Sequence, residues 1–122
     1  MRRATVALIL LISGSSLAHG QTQQEAFSAT YKTLNAVVGG SYDVRDLKYG
    51  QRPNLSMELV PVVCGLVTAQ LRDAPNRASA WFVHLLKTNQ IYITNVRLQN
   101  RPGQSQSEAE MQFNNYCIGW NG

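Results

Sequence analysis

The chain has 122 residues, 44% of them hydrophobic and 15% charged, with a formal charge of +4, two cysteines and two histidines. That length holds one compact domain and not two. The basic residues form no long run, which excludes the cationic stripe that a nucleic-acid backbone requires, so no nucleic-acid partner is expected.

The N-terminus reads as an address. Arg2 and Arg3 precede an apolar run from Ala4 to Ile12 interrupted only by Thr5, and small residues follow as Ser16-Leu17-Ala18 and Ala18-His19-Gly20. Charged start, short apolar stretch and small-residue cleavage site are the three parts of a secretory signal peptide. We therefore expect residues 1–20 to be a signal peptide cleaved after Ala18 or Gly20, and residues 21–122 to be a single α+β domain. The apolar run is too short to span a bilayer, and no cysteine follows Leu17-Ala18 to accept a lipid. The mature chain is expected in the periplasm or secreted, without an integral membrane segment. Loss of Arg2 and Arg3 takes eleven bases to nine against seven acids, a formal charge of +2.

Thr22-Gln23-Gln24-Glu25 matches a capping box, in which hydroxyl and carboxylate each satisfy an orphan backbone donor. Phe27, Tyr31, Leu34 and Val38 then recur at helical spacing, and Gly39-Gly40 ends the helix. Tyr42, Val44 and Leu47 hint at a short edge strand, and Tyr49 to Asn54 reads as loop because of Gly50 and Pro53. Val62 to Ala69 is apolar on both alternating faces and rich in β-branched residues, which predicts a strand, with Pro61 at its start or at a bulge. Arg72-Asp73-Ala74-Pro75-Asn76 is turn chemistry. A second strand runs from Ala78 to Leu86 and a third from Ile91 to Leu98, joined by Lys87-Thr88-Asn89-Gln90. Short connections favour an antiparallel meander. A final helix starts at a second capping-box pattern, Ser105-Gln106-Ser107-Glu108. It presents Ala109, Phe113, Tyr116, Cys117 and Trp120 on one face, and the chain is expected to fray beyond Trp120.

The expected fold is therefore α+β: an N-terminal helix, a three-stranded antiparallel meander, a C-terminal helix and one disulfide. Cys64 and Cys117 are the only cysteines, so one pairing is open to them, and export would place them where disulfides persist. Cys64 shares a strand face with Val62 and Leu66, and Cys117 lies on the apolar face of the last helix. The bridge would staple helix to sheet through the core and contribute about 4 kcal/mol in the loop-entropy account.

Chemistry-bearing constellations are scarce. His84 is the only histidine of the expected domain, residues 21–122, and shares a strand face with Phe82 and Leu86, the usual setting of a packed, hydrogen-bonded ring. No ligand set for zinc accompanies it, so neither metal nor cofactor is expected. Glu25 and Glu108 are explained by capping and Asp73 by a turn, while Asp43 and Asp46 stand three apart in a polar stretch. With both cysteines committed to each other no activated nucleophile remains, and no Gly-x-Ser-x-Gly elbow or P-loop occurs. Asn54-Leu55-Ser56 is a glycosylation sequon, relevant only in a eukaryotic secretory route. Trp81, Tyr92, Tyr116 and Trp120 either fill the core of a small domain or line a binding surface, where Trp and Tyr are enriched. Trp81 and Trp120 stand out, Trp81 because it lies opposite Phe82 on its strand and Trp120 because it is near the terminus. Strands apolar on both faces need a cover on each. Two helices supply it if they sit on opposite faces; if both pack on one face, the other is a binding surface.

Val63-Cys64-Gly65-Leu66-Val67-Thr68-Ala69, followed by Trp81-Phe82-Val83, resembles a pattern of small exported bacterial proteins. These carry Val-Cys-Gly-x-Val-x-Ala, a Gly-rich turn and then an aromatic strand. Where they have Asn and Gly-Gly in the turn, this chain has Arg72-Asp73-Ala74-Pro75-Asn76. The resemblance implies export and fold rather than an activity. The leading expectation is a non-enzymatic exported domain that binds a protein partner as an accessory subunit, inhibitor or envelope component, with Trp81, Trp120 and Tyr92 as its surface. The second is a protein that binds, or hydrolyses, a cell-wall or glycan ligand through its aromatics with Asp43, Asp46 or His84.

Overall fold

The computed structural model describes residues 22–100 and 103–120; the expected signal peptide, residues 1–20, lies outside them. Helix α1 spans Gln23–Val37. Four strands follow, β1 Tyr42–Pro53, β2 Leu59–Gln70, β3 Arg77–Leu85 and β4 Gln90–Ile93, then a 3-10 turn at Val96–Leu98 and helix α2 at Gln106–Cys117. The strands form one antiparallel sheet in the order β1-β2-β3-β4. The fold is α+β with an antiparallel meander, as expected, but the sheet has four strands and not three.

The extra strand is β1, and a bulge explains its weak signature. Arg45 pairs with Leu66 and Lys48 with Cys64, so Asp46 and Leu47 together oppose Gly65. Asp46 adopts φ 57°, a left-handed conformation that Asp tolerates better than most residues. The added residue moves the alternation by one: Tyr42 and Val44 point inward before the bulge, Leu47 and Tyr49 after it, and all four pack on the same core. A strict period of two breaks at this point, and the strand runs on to Pro53 through Gly50.

The third strand expected from Ile91 to Leu98 is shorter. It ends at Ile93, where Asn95 accepts from Arg97 N at 3.1 Å and the chain turns into the 3-10 segment. Pro61 lies inside β2, two residues from its start, opposite Gln51 of β1. On the β3 side Pro61 O accepts from Leu86 N at 3.2 Å, one step past the last ladder pair at Val62, so the missing N–H falls at the end of the ladder.

The two helices pack on opposite faces of the sheet, giving three layers. Under α1 lie Val63, Val67, Phe82, Ile91 and Ile93 with Ala26, Leu34 and Val37 of the helix. Under α2 lie Val62, Cys64, Val83 and Tyr92 with Ala109, Phe113, Tyr116 and Cys117. Each fully buried Val, Leu or Phe contributes about 1.5–3 kcal/mol against exposure, so β2 and β3, apolar on both faces, anchor the domain.

The α1 capping box forms: Glu25 N donates to Thr22 Oγ1 at 3.1 Å and Thr22 N to Glu25 Oε1 at 2.9 Å. Of the expected stripe Leu34 and Val38 are buried, and its first half differs by one residue. Ala26, Thr30, Leu34 and Val37 face the sheet, whereas Phe27 is half-buried and Tyr31 exposed. At α2 the Ser105 hydroxyl accepts from Glu108 N at 3.1 Å, and Ala109, Phe113, Tyr116 and Cys117 are buried as the periodicity requires. Cys64 and Cys117 are bonded, with Cα atoms 6.1 Å apart, and join β2 to the end of α2.

Candidate functional site

Helix α2 is only twelve residues long and covers part of its sheet face. The side chains on that face change character where the helix stops. Val62 and Cys64 are buried beneath it, while further along β2 Leu66 and Thr68 are half-buried. Thr68 meets Ser79 of β3 in a hydroxyl pair at 2.6 Å, and Asp43 of β1 meets Arg77 of β3 at 3.2 Å. At the border between covered and open sheet stands Trp81, opposite Leu66. Its ring stacks on Phe113 with centroids 6.0 Å apart and planes at 25°, and the residue remains 44% exposed. Stacking of this kind fixes the indole and adds to its burial energy.

The opposite wall is built by the C-terminal tail. Beyond Cys117 the chain reverses at Gly119, which has φ 80°, and returns over β1. Trp120 settles on Gly50, where a Cβ would lie only 2.7 Å from the indole, so glycine makes the contact possible. Two β1 cations hold the tail. Lys48 Nζ donates to Trp120 O at 3.1 Å, and Arg52 Nε to Tyr116 O at 2.9 Å. The Arg52 guanidinium also lies 5.3 Å from the Trp120 ring centroid. The Arg52 bond satisfies a carbonyl at the end of α2, where a helix favours positive charge, and the Lys48 bond holds the tail beyond it.

Between the tryptophans lies a groove of about 530 Å³ floored by Cys64, Gly65 and Cys117 and bounded by Phe113, Ile118 and the β1 bulge at Asp46, Leu47 and Lys48. Ile118 is 60% exposed at its rim. The disulfide brings the walls together: it ties the end of α2 to the middle of β2, from which Gly119 swings Trp120 across. The groove is apolar, with one acid and one base, Asp46 and Lys48, at its edge.

The other expected site residues fall elsewhere. Tyr92 is not on this surface; it is 6% exposed and packs in the core under α2. Burial raises its phenol above the ordinary value of 10.0, with Glu108 and Tyr116 adding to the shift. Asp43 is committed to Arg77, and Asp46 edges the groove as the bulge residue; both are exposed. Asn54, the sequon residue, closes the β1–β2 turn by accepting from Ser56 N and Glu58 N at 2.9 and 3.0 Å.

His84 is fully buried on the α1 side of the sheet. Its Nδ1 lies 2.8 Å from Thr30 Oγ1 and its Nε2 2.8 Å from Asn89 Oδ1, which can only accept, so Nε2 carries the proton. Burial pushes its pKa below the ordinary 6.5, against the opposing pull of the Asn89 hydrogen bond. The ring links α1, β3 and the β3–β4 turn.

The groove depends on features that leave little trace in the sequence: a bulge, a left-handed Gly119 and a side chain crossing from the tail to Gly50. The one signal available was the pairing of Gly50 in a strand with an aromatic near the terminus, and neither residue identifies the other. Among the described residues no three His, Cys, Asp or Glu side chains gather to hold a metal ion, and no helix is long and apolar enough to cross a membrane. No protein-family model matches this chain, and neither a curated protein nor a solved structure matches it.

Proposed function

We propose that this chain is an exported, non-enzymatic domain that binds a protein partner through the groove between Trp81 and Trp120, as an accessory subunit, inhibitor or envelope component. The observation that carries the reading is the groove itself. Two tryptophans on rigid supports, one stacked on Phe113 and one clamped by Lys48 and Arg52, flank an apolar channel with an exposed isoleucine at its rim. Fixed aromatic anchors lose little entropy on binding and supply most of the energy of many protein interfaces. Export is supported by the signal-peptide pattern of residues 1–20 and by the Cys64–Cys117 bond, which belongs to oxidising compartments. The resemblance of the Val63–Ala69 segment to small exported bacterial proteins points the same way.

Substitution tests the reading. Trp81→Ala is expected to weaken partner binding by about tenfold or more, the cost of truncating an interface anchor. Far-ultraviolet circular dichroism should be unchanged, because Trp81 stands at the border of the open face. Trp120→Ala should do the same: it removes the ring beside the Arg52 guanidinium and leaves the backbone carbonyls that Lys48 and Arg52 bond in place. Unaltered binding in both variants would exclude this groove as the interface.

A further inference from the structure

On the other side of the sheet, between α1 and the short edge strand β4, lies a cleft of about 620 Å³. Its apolar wall comes from Ala36 and Val37 of α1, from Leu86 after β3 and from Ile91 of β4. Small residues at Ala29, Ala36 and Gly103 leave it unfilled.

The polar side chains in this cleft are held in place from behind. Asn89, at φ 59° in the β3–β4 turn, accepts at Oδ1 from Thr33 Oγ1 at 2.8 Å and from the buried His84 ring at 2.8 Å. Both bonds use the oxygen, so the carboxamide is fixed and its Nδ2 donor has no partner among the described residues. Gln99 is only 6% exposed. Its Nε2 donates to Gln104 Oε1 at 3.2 Å, and Gln104 Nε2 donates in turn to Ile91 O at 2.8 Å, which caps an edge carbonyl of β4. That relay leaves Gln99 Oε1 as an oriented acceptor with no partner among the described residues. Lys32 of α1 lines the same cleft, and no carboxylate among the described residues does.

A nearly buried amide with an open acceptor, a second amide with an open donor and an uncompensated ammonium together define a chemistry. The donor and the ammonium suit a carboxylate. The Gln99 oxygen suits an N–H or O–H close to it. The Ala36, Val37 and Leu86 wall suits a small apolar substituent. We propose that this cleft binds a small carboxylate that carries a hydrogen-bond donor beside the acid, the chemistry shared by a peptide C-terminus and an acylamino sugar acid. The site is separate from the Trp81–Trp120 groove, on the opposite face of the sheet, so its failure would leave the groove reading intact.

The test is a titration of 15N-labelled protein with N-acetyl-alanyl-alanine and with N-acetylmuramic acid, with N-acetylglucosamine as a neutral control, followed by NMR. The expected result is a saturable shift of the Asn89 and Gln99 side-chain amide signals with at least one acid; which acid acts separates the peptide source from the sugar source. Lys32→Met, a surface change that leaves the core untouched, should weaken the effective acid by about tenfold. Ala36→Leu should fill the cleft and abolish the shifts. The proposal is overturned by flat titrations with both acids. It is equally overturned by equal response to the neutral sugar, by insensitivity to Lys32→Met, or by shifts that map to Trp81 and Trp120 instead.

Discussion

Gly50 shows how one missing side chain shapes the molecule. A methyl there would meet the Trp120 ring at 2.7 Å, so Gly50→Ala must push the indole off β1 or bend the strand. The expected cost is about 1–3 kcal/mol in urea denaturation, with a red shift of tryptophan emission as Trp120 moves into water. His84 acts at the same scale through protonation. Its folded pKa is depressed, so between that value and 6.5 the unfolded chain binds more protons. Stability is therefore complete above pH 6.5, falls as pH drops below it, and levels off below the folded pKa. His84→Gln should flatten that slope between pH 7.5 and 5, whatever its effect on stability at neutral pH. Asp73, which the Arg97 hydrogen bond holds below the ordinary 3.8, acts only at more acid pH and leaves the window clear.

At the scale of elements, the chain announces itself unevenly. β2 and β3 are legible because buried strands need β-branched and aromatic residues on both faces, and α2 because Ala109, Phe113, Tyr116 and Cys117 keep helical spacing. β1 is not, since the bulge at Asp46 shifts the period and Gly50 serves a tertiary contact that local reading takes for a breaker. In α1 the aromatics suggest the buried stripe, but Thr30 is the residue needed inside, where its hydroxyl meets His84. A polar partner in a core cannot be read from hydrophobic spacing. The bulge itself can be tested. Asp46→Val puts a β-branched side chain at φ 57° and should cost about 1–3 kcal/mol, whereas Asp46→Asn should be nearly neutral in the same denaturation assay.

For the whole molecule, the decisive arrangement is a helix on each face of one sheet, with the second helix too short to cover its side. The strands are double-faced where they are covered and polar where they are not, as at Thr68 and Ser79, so the open end needs no further layer. The disulfide spans 53 residues of sequence and fixes the position from which the tail turns back to form the groove wall. Reduction should therefore lower stability by about 2–5 kcal/mol in paired denaturation curves with and without reductant. It should also loosen Trp120 before the sheet melts. Of the groove, Trp81 and Trp120 were visible in the sequence as unplaced aromatics; their meeting across the disulfide was not. Their approach depends on the bulge and on Gly119, which act through three-dimensional geometry alone.

The most direct test is site-specific photo-crosslinking in the native envelope, with a photoreactive residue in place of Ile118 at the groove rim and, as a control, in place of Ser28 on the exposed face of α1. We predict one crosslinked protein from position 118, lost when Trp81→Ala is added and absent from position 28. A partner crosslinked equally from position 28, or none from position 118 despite full export, would contradict the assignment of the Trp81–Trp120 groove as the binding surface.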